Sequence, residues 1–134
     1  MDTARVELSA AGFDRPGTVL RYGHWGRPVL VFPCEAGRAW DFADRGMLAA
    51  VTPLVAAGRV KLYCVDSFDE ATWSNRGLSI EDRARGHLAY EGWITGPVLD
   101  WVRHDSPGAG DPVTTGVSMG AFHAVQFALR RADL

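Results

Sequence analysis

Pro112-Val113-Thr114-Thr115-Gly116-Val117-Ser118-Met119-Gly120 decides how this chain is read, because a β-branched, extended run enters a Gly-x-Ser-x-Gly and leaves it as a helix. The helical pattern runs from Met119 to Arg131 and presents Ala121, Val125, Ala128 and Leu129 among small or apolar neighbours. A strand that turns this sharply into a helix has no room for side chains two residues before and two residues after its tip, and Gly116 and Gly120 occupy those places. Such a turn holds Ser118 at the carboxyl end of its strand with the hydroxyl exposed. It also aims the amide of Met119, at the helix start, toward a negative charge developing on a substrate oxygen. A serine nucleophile and one oxyanion donor are therefore expected here.

Working outward, Pro28 to Phe32 is apolar on consecutive positions, the pattern of a strand covered on both faces. Val60 to Val65 and Pro112 to Val117 read as further central strands. Arg5 to Leu8 and Thr18 to Tyr22, joined by a turn around Asp14-Arg15-Pro16-Gly17, predict an antiparallel ribbon at the amino end. Between the strands, Asp44 to Ala57 spaces Met47, Leu48, Val51, Leu54 and Val55 for one buried helical face, with Pro53 inside it and Gly58 closing it. Ser79-Ile80-Glu81-Asp82 resembles a capping box and opens a helix to about His104, interrupted at Gly96-Pro97, where proline removes a hydrogen bond. Strands alternating with helices imply parallel pairing through right-handed crossovers. The expected fold is a three-layer α/β sheet of about five strands, one domain over residues 1–134.

Composition narrows the partners. The chain has 134 residues, 47% of them hydrophobic, and 14 basic against 16 acidic side chains give a net charge of -2. With no run of Lys or Arg there is no electrostatic footprint for nucleic acid or an anionic membrane, so a small neutral substrate is expected. No segment approaches the ~18 apolar residues of a membrane span, and Met1 to Phe13 has no apolar leader core, which points to a cytoplasmic location. Cys34 and Cys64 each end an apolar run and are read as inert core thiols, with a disulfide between them as the open alternative. The expected chemistry requires neither a cofactor nor a metal.

Val117-Ser118-Met119-Gly120-Ala121-Phe122-His123-Ala124 resembles the nucleophile elbow of the esterase family of α/β-hydrolases that includes esterase D, feruloyl esterases and mycolyltransferases. Val29-Leu30-Val31-Phe32-Pro33, Trp40-Asp41-Phe42, Arg45-Gly46-Met47, Cys64-Val65-Asp66-Ser67 and Trp73-Ser74-Asn75-Arg76 look like the blocks that precede the elbow in that family. The resemblance covers most of the chain and corresponds to the amino-terminal half of the fold. It implies hydrolysis of carboxylic esters through an acyl-serine at Ser118. By the same resemblance the second oxyanion donor comes from the loop after the third strand, Pro33-Cys34-Glu35-Ala36-Gly37, and is the amide of Glu35 or of Cys34. Pro33-Cys34 stands where the family has His-Gly.

In this fold the chain order is Ser, then Asp or Glu, then His. After Ser118 only Asp133 and His123 qualify, and neither suits: Asp133 lies at a helix end, and His123 is five residues into the serine's own helix and points away from the hydroxyl. His24, His87 and His104 read as surface residues, and Asp66 and Asp69, in a loop after a strand, read as solvated or turn-making with a place in the cleft as the alternative. Trp40 and Trp73 sit in loops leaving the catalytic end and are candidates for an acyl-group wall, whereas Trp93 and Trp101 belong to the core.

The leading expectation is thus a serine esterase whose acid and histidine come from residues outside this chain, which would be one piece of a split enzyme, a truncated form or a natural short form. The alternatives are a noncatalytic interaction module that keeps the turn as structure, and an acyltransferase that hands the acyl group to an alcohol. A strand like Pro112 to Val117 with no neighbour, and an apolar helix beside it, predict a second chain carrying further strands, or self-association.

Overall fold

Strands β1 (Thr3–Leu8), β2 (Gly17–Tyr22), β3 (Arg27–Phe32), β4 (Val60–Val65) and β5 (Val113–Gly116) form one mixed sheet in the order β1-β2-β4-β3-β5. The computed structural model describes residues 1–133. β1 pairs antiparallel with β2, and β2 with β4, while β3 runs parallel to both β4 and β5. All five expected strands are present, and the amino-terminal ribbon joins the parallel core through β2. Among the described residues β5 lies at the edge of the sheet, paired with β3 alone, as expected of a strand with no further neighbour.

Alternation along β3 divides the core. Leu30 and Phe32 face one layer, built by α3 (Ile80–Trp93), α4 (Leu99–Asp105) and α5 (Met119–Arg130), where Tyr63, Val65, Tyr90, Trp93, Val98 and Phe127 close around them. Val29 and Val31 face the other layer, α1 (Asp41–Asp44) and α2 (Met47–Ala56), together with Leu62, Cys64 and Val55. Trp93 is buried as expected, and Trp101 packs partly buried against Tyr63, edge to face at 5.6 Å.

The first helical region departs from expectation. Gly46 in the left-handed region (φ 83°) splits it into α1 and α2, and the re-aimed α2 buries Val55 while leaving Met47 and Leu54 exposed. Pro53 lies within α2 without ending it, and Gly58 follows with φ 68°. The α3 start is as read: Ser79 Oγ accepts from the Asp82 amide at 3.1 Å. At Gly96-Pro97 the interruption takes the form of a π turn, Ile94–Val98, because a chain that cannot donate from Pro97 absorbs the lost bond by widening one turn. Both cysteines are free thiols, and burial pushes the Cys64 thiol well up. No helix of the described residues is long and apolar enough to cross a membrane.

Candidate active site

The parallel strands β3, β4 and β5 end on one side of the sheet, and three connections meet there: the loop after Phe32, the segment after Val65 and the turn at Ser118. Ser118 has φ 58° and ψ -122°, a conformation that L residues rarely adopt and that costs about 1–3 kcal/mol. The surroundings impose it. A β-carbon on Gly116 would lie 2.3 Å from the backbone of Gly120, and one on Gly120 would lie 2.4 Å from the carbonyl oxygen of Phe32 and 2.5 Å from that of Pro33. Hydrogen bonds from the Gly120 amide to Val117 O (3.0 Å) and from the Ala121 amide to Ser118 O (2.9 Å) complete the turn. The serine is exposed, and neither its hydroxyl nor the Met119 amide has a hydrogen-bond partner among the described residues.

The Pro33 carbonyl against Gly120 brings the start of the neighbouring loop beside this turn. Within that loop the Ala36 amide donates to Asp69 Oδ2 at 3.1 Å and the Gly37 amide to Cys34 O at 2.9 Å. The amides of Cys34 and Glu35 meet no acceptor among the described residues, so both predicted donors remain available. Ser67 anchors the loop by donating from its amide (3.1 Å) and hydroxyl (3.0 Å) to Gly37 O, and Ser74 Oγ donates to Glu35 Oε1 at 2.7 Å.

Asp66 and Asp69 are buried, which corrects their reading as solvated loop acids. Asp66 accepts from Arg15 (3.0 Å) and Arg38 (2.9 Å) and from the amides of Thr18 and Ala39 (both 2.8 Å), so it pins the β1–β2 turn and the loop after β3 to the end of β4. Asp69 accepts from His123 Nε2 at 3.0 Å, with both side chains 1% exposed. His123 therefore points into the packing and away from Ser118, as its place in the helix predicts.

His87 is also buried, another correction to a surface reading. It accepts from Trp73 Nε1 at 3.0 Å and stacks on His123, with ring centres 5.8 Å apart and planes 8° apart. Burial, reinforced by the neighbouring His123, holds its pKa below the ordinary histidine value. His24 and His104 are exposed, in the β2–β3 turn and near the end of α4, at the side of the sheet opposite Ser118. No histidine among the described residues bonds to the serine.

A cavity of about 300 Å³ opens beside the turn on the α2 face, with Val31, Cys34, Phe42, Cys64, Thr115 and Val117 among its walls. Trp40 and Trp73 do not line it. Trp40 lies under the guanidinium of Arg38 at 4.5 Å, and Trp73 is committed to His87. Nothing local forecast the Asp69–His123 pair, whose partners lie 54 residues apart. Among the described residues no group of three or more His, Cys, Asp or Glu is arranged to hold a metal ion. No protein-family model matches the chain, and no curated protein matches it.

Proposed function

We propose that this chain carries the nucleophile of a serine carboxylic ester hydrolase built on the α/β-hydrolase sheet, acting through an acyl-serine at Ser118. The observation that carries the reading is the exposed, strained Ser118 held between Gly116 and Gly120, with the Met119 amide free at the helix start. In the proposed cycle Ser118 Oγ attacks the ester carbonyl while a histidine base takes its proton. The oxyanion is held by the Met119 amide and that of Glu35 or Cys34, the alcohol leaves with the proton, and water releases the acid by the reverse path. The apolar cavity beside Val117 suits a small apolar acyl group, since ~300 Å³ is at the low end of ligand pockets.

The base and its acid come, in this proposal, from residues outside this chain, because His87 and His123 are locked in the interior and His24 and His104 lie at the far side of the sheet. The unpaired edge of β5, with Val117 exposed, and the exposed Val125 and Leu129 on α5 support a second chain that adds strands there, or association of like chains. The locked histidines also favour the noncatalytic reading, and one experiment separates the two. In the protein isolated from its own cells, with whatever chain completes the site, a fluorophosphonate probe should modify the peptide containing Ser118, and Ser118→Ala should abolish the modification. Absence of label on that peptide rejects the esterase.

A further inference from the structure

The two oxyanion donors sit on separate elements, Met119 on α5 and Glu35 or Cys34 in the loop after β3, and a buried carboxylate bridges those elements. Asp69 Oδ1 accepts from His123 Nε2 at 3.0 Å, and Asp69 Oδ2 accepts from the Ala36 amide at 3.1 Å. We propose that Asp69 and His123 form a strut that sets the spacing of the oxyanion hole, acting as positioning residues for the reaction at Ser118. The proposal rests on the esterase reading above.

The ends of the strut are informative. Ser118 and Ala36 are the two non-glycine residues with positive φ among those described, at 58° and 54°, and Ala36 is the immediate neighbour of Glu35. His123 lies on the helix that starts at Ser118, so the strut joins the element bearing one strained residue to the other strained residue itself. A conformation of this kind persists only where its surroundings over-determine it. At Ser118 the glycine contacts do so, whereas at Ala36 the bond to Asp69 is the one that its own amide makes.

The chemistry also selects an acid. Both groups facing Asp69 are N–H donors, an imidazole and a backbone amide, and a carboxylate offers an oxygen to each without a donor of its own to misplace. Its backbone is fixed as well, since Asp69 O accepts from the amides of Thr72 (3.0 Å) and Ser74 (2.8 Å). The imidazole is held in plane by the stacked His87 ring. In a dry interior such charge-assisted bonds are stiff, and an oxyanion hole needs stiffness because its donors must be in place before charge develops.

The test compares the enzyme, complete with the chain that supplies its base, with His123→Leu and Asp69→Ala, reading both p-nitrophenyl acetate hydrolysis and the rate of fluorophosphonate labelling at Ser118. The strut predicts a fall in kcat of about 10- to 100-fold, with KM within about twofold and labelling slowed in proportion, since loss of one oxyanion donor alone is worth ~10²–10³. His123→Gln, whose side-chain amide can still donate to Asp69, should recover most of the rate. Should the drastic variants not fold, Asp69→Asn carries the same measurement: it keeps the shape and one acceptor oxygen, and kcat should drop about tenfold. Reduced stability with unchanged kcat and unchanged labelling, or a rise in KM alone, overturns the strut. If the unsubstituted enzyme leaves Ser118 unlabelled, the esterase reading itself fails and the strut with it.

Discussion

Gly120 lies so close to Phe32 that a β-carbon on it would stand 2.4 Å from the Phe32 carbonyl oxygen, a backbone atom that cannot swing aside. Gly120→Ala should therefore force the start of α5 off the end of β3. A loss of ~3 kcal/mol is expected, at the upper end of overpacking effects. Gly92, exposed near the carboxyl end of α3 where the helical run continues into Ile94–Val98, with nothing within 4 Å of an added β-carbon, is the control. Gly92→Ala should stabilise the chain by ~0.5–1 kcal/mol, because glycine in a helix loses more backbone freedom on folding. Urea unfolding of the two variants should move in opposite directions.

Asp66 joins three segments through one side chain that is fully buried. Asp66→Ala would leave the Thr18 and Ala39 amides without their acceptor and Arg15 and Arg38 without their carboxylate. The two arginine side chains are 24% and 33% exposed, so water compensates part of the lost charge pairing. A destabilisation of ~3 kcal/mol is expected, the low end for breaking a buried pair. Asp66→Asn, which keeps the shape and part of the acceptor capacity, should lose less. Chemical denaturation at neutral pH checks the order.

Acid should weaken the α3–α5 contact through His87. Its folded pKa is depressed below the ordinary 6.5, by burial first and then by His123 and Arg130, against the opposing pull of Gln126 and Glu91. The unfolded chain then binds the proton more readily than the folded one, so stability is fully present above 6.5 and declines as pH falls from there toward the folded value. His87→Gln, which can still accept from Trp73 but does not titrate, should flatten that part of the profile. The Asp105 carboxyl acts in a lower window. Burial tends to raise it, but hydrogen bonds from Tyr63 and Lys61 and the charges of Lys61 and Arg21 outweigh burial and hold it below the usual 3.8. Its contribution is lost only as pH drops below that value. Unfolding midpoints across this range in the two proteins separate the windows, and a profile unchanged by His87→Gln rules out the assignment.

The β5 edge and the outer face of α5 should drive association. Val117 is 60% exposed, Val125 59% and Leu129 76%. Sedimentation velocity at micromolar concentration should show species larger than one chain, and the pair Val125→Glu with Leu129→Lys should shift the distribution toward the monomer. A wild-type chain that sediments as a monomer would count against the second-chain proposal and in favour of a self-contained module.

The strands, the Ser79 cap, the break at Gly96-Pro97 and the glycines around Ser118 were all legible in the amino-acid sequence, because each depends on residues within about five positions of one another. Periodicity misjudged α2 for the same reason. A helical face says that something is buried but not against what, and the turn at Gly46 re-aimed the helix so that Met47 and Leu54 face outward.

What the sequence determined by itself is the alternation of strand and helix and the sharp turn that exposes Ser118, both consequences of local sterics and hydrophobic period. Only the tertiary structure decided the cavity beside Val117 and the burial of Asp66, Asp69, His87 and His123. Arg15 finds Asp66 across 51 residues and His123 finds Asp69 across 54. A carboxylate can leave water only when partners arrive with it, and in this chain those partners come from segments far apart in sequence that only the folded chain brings together.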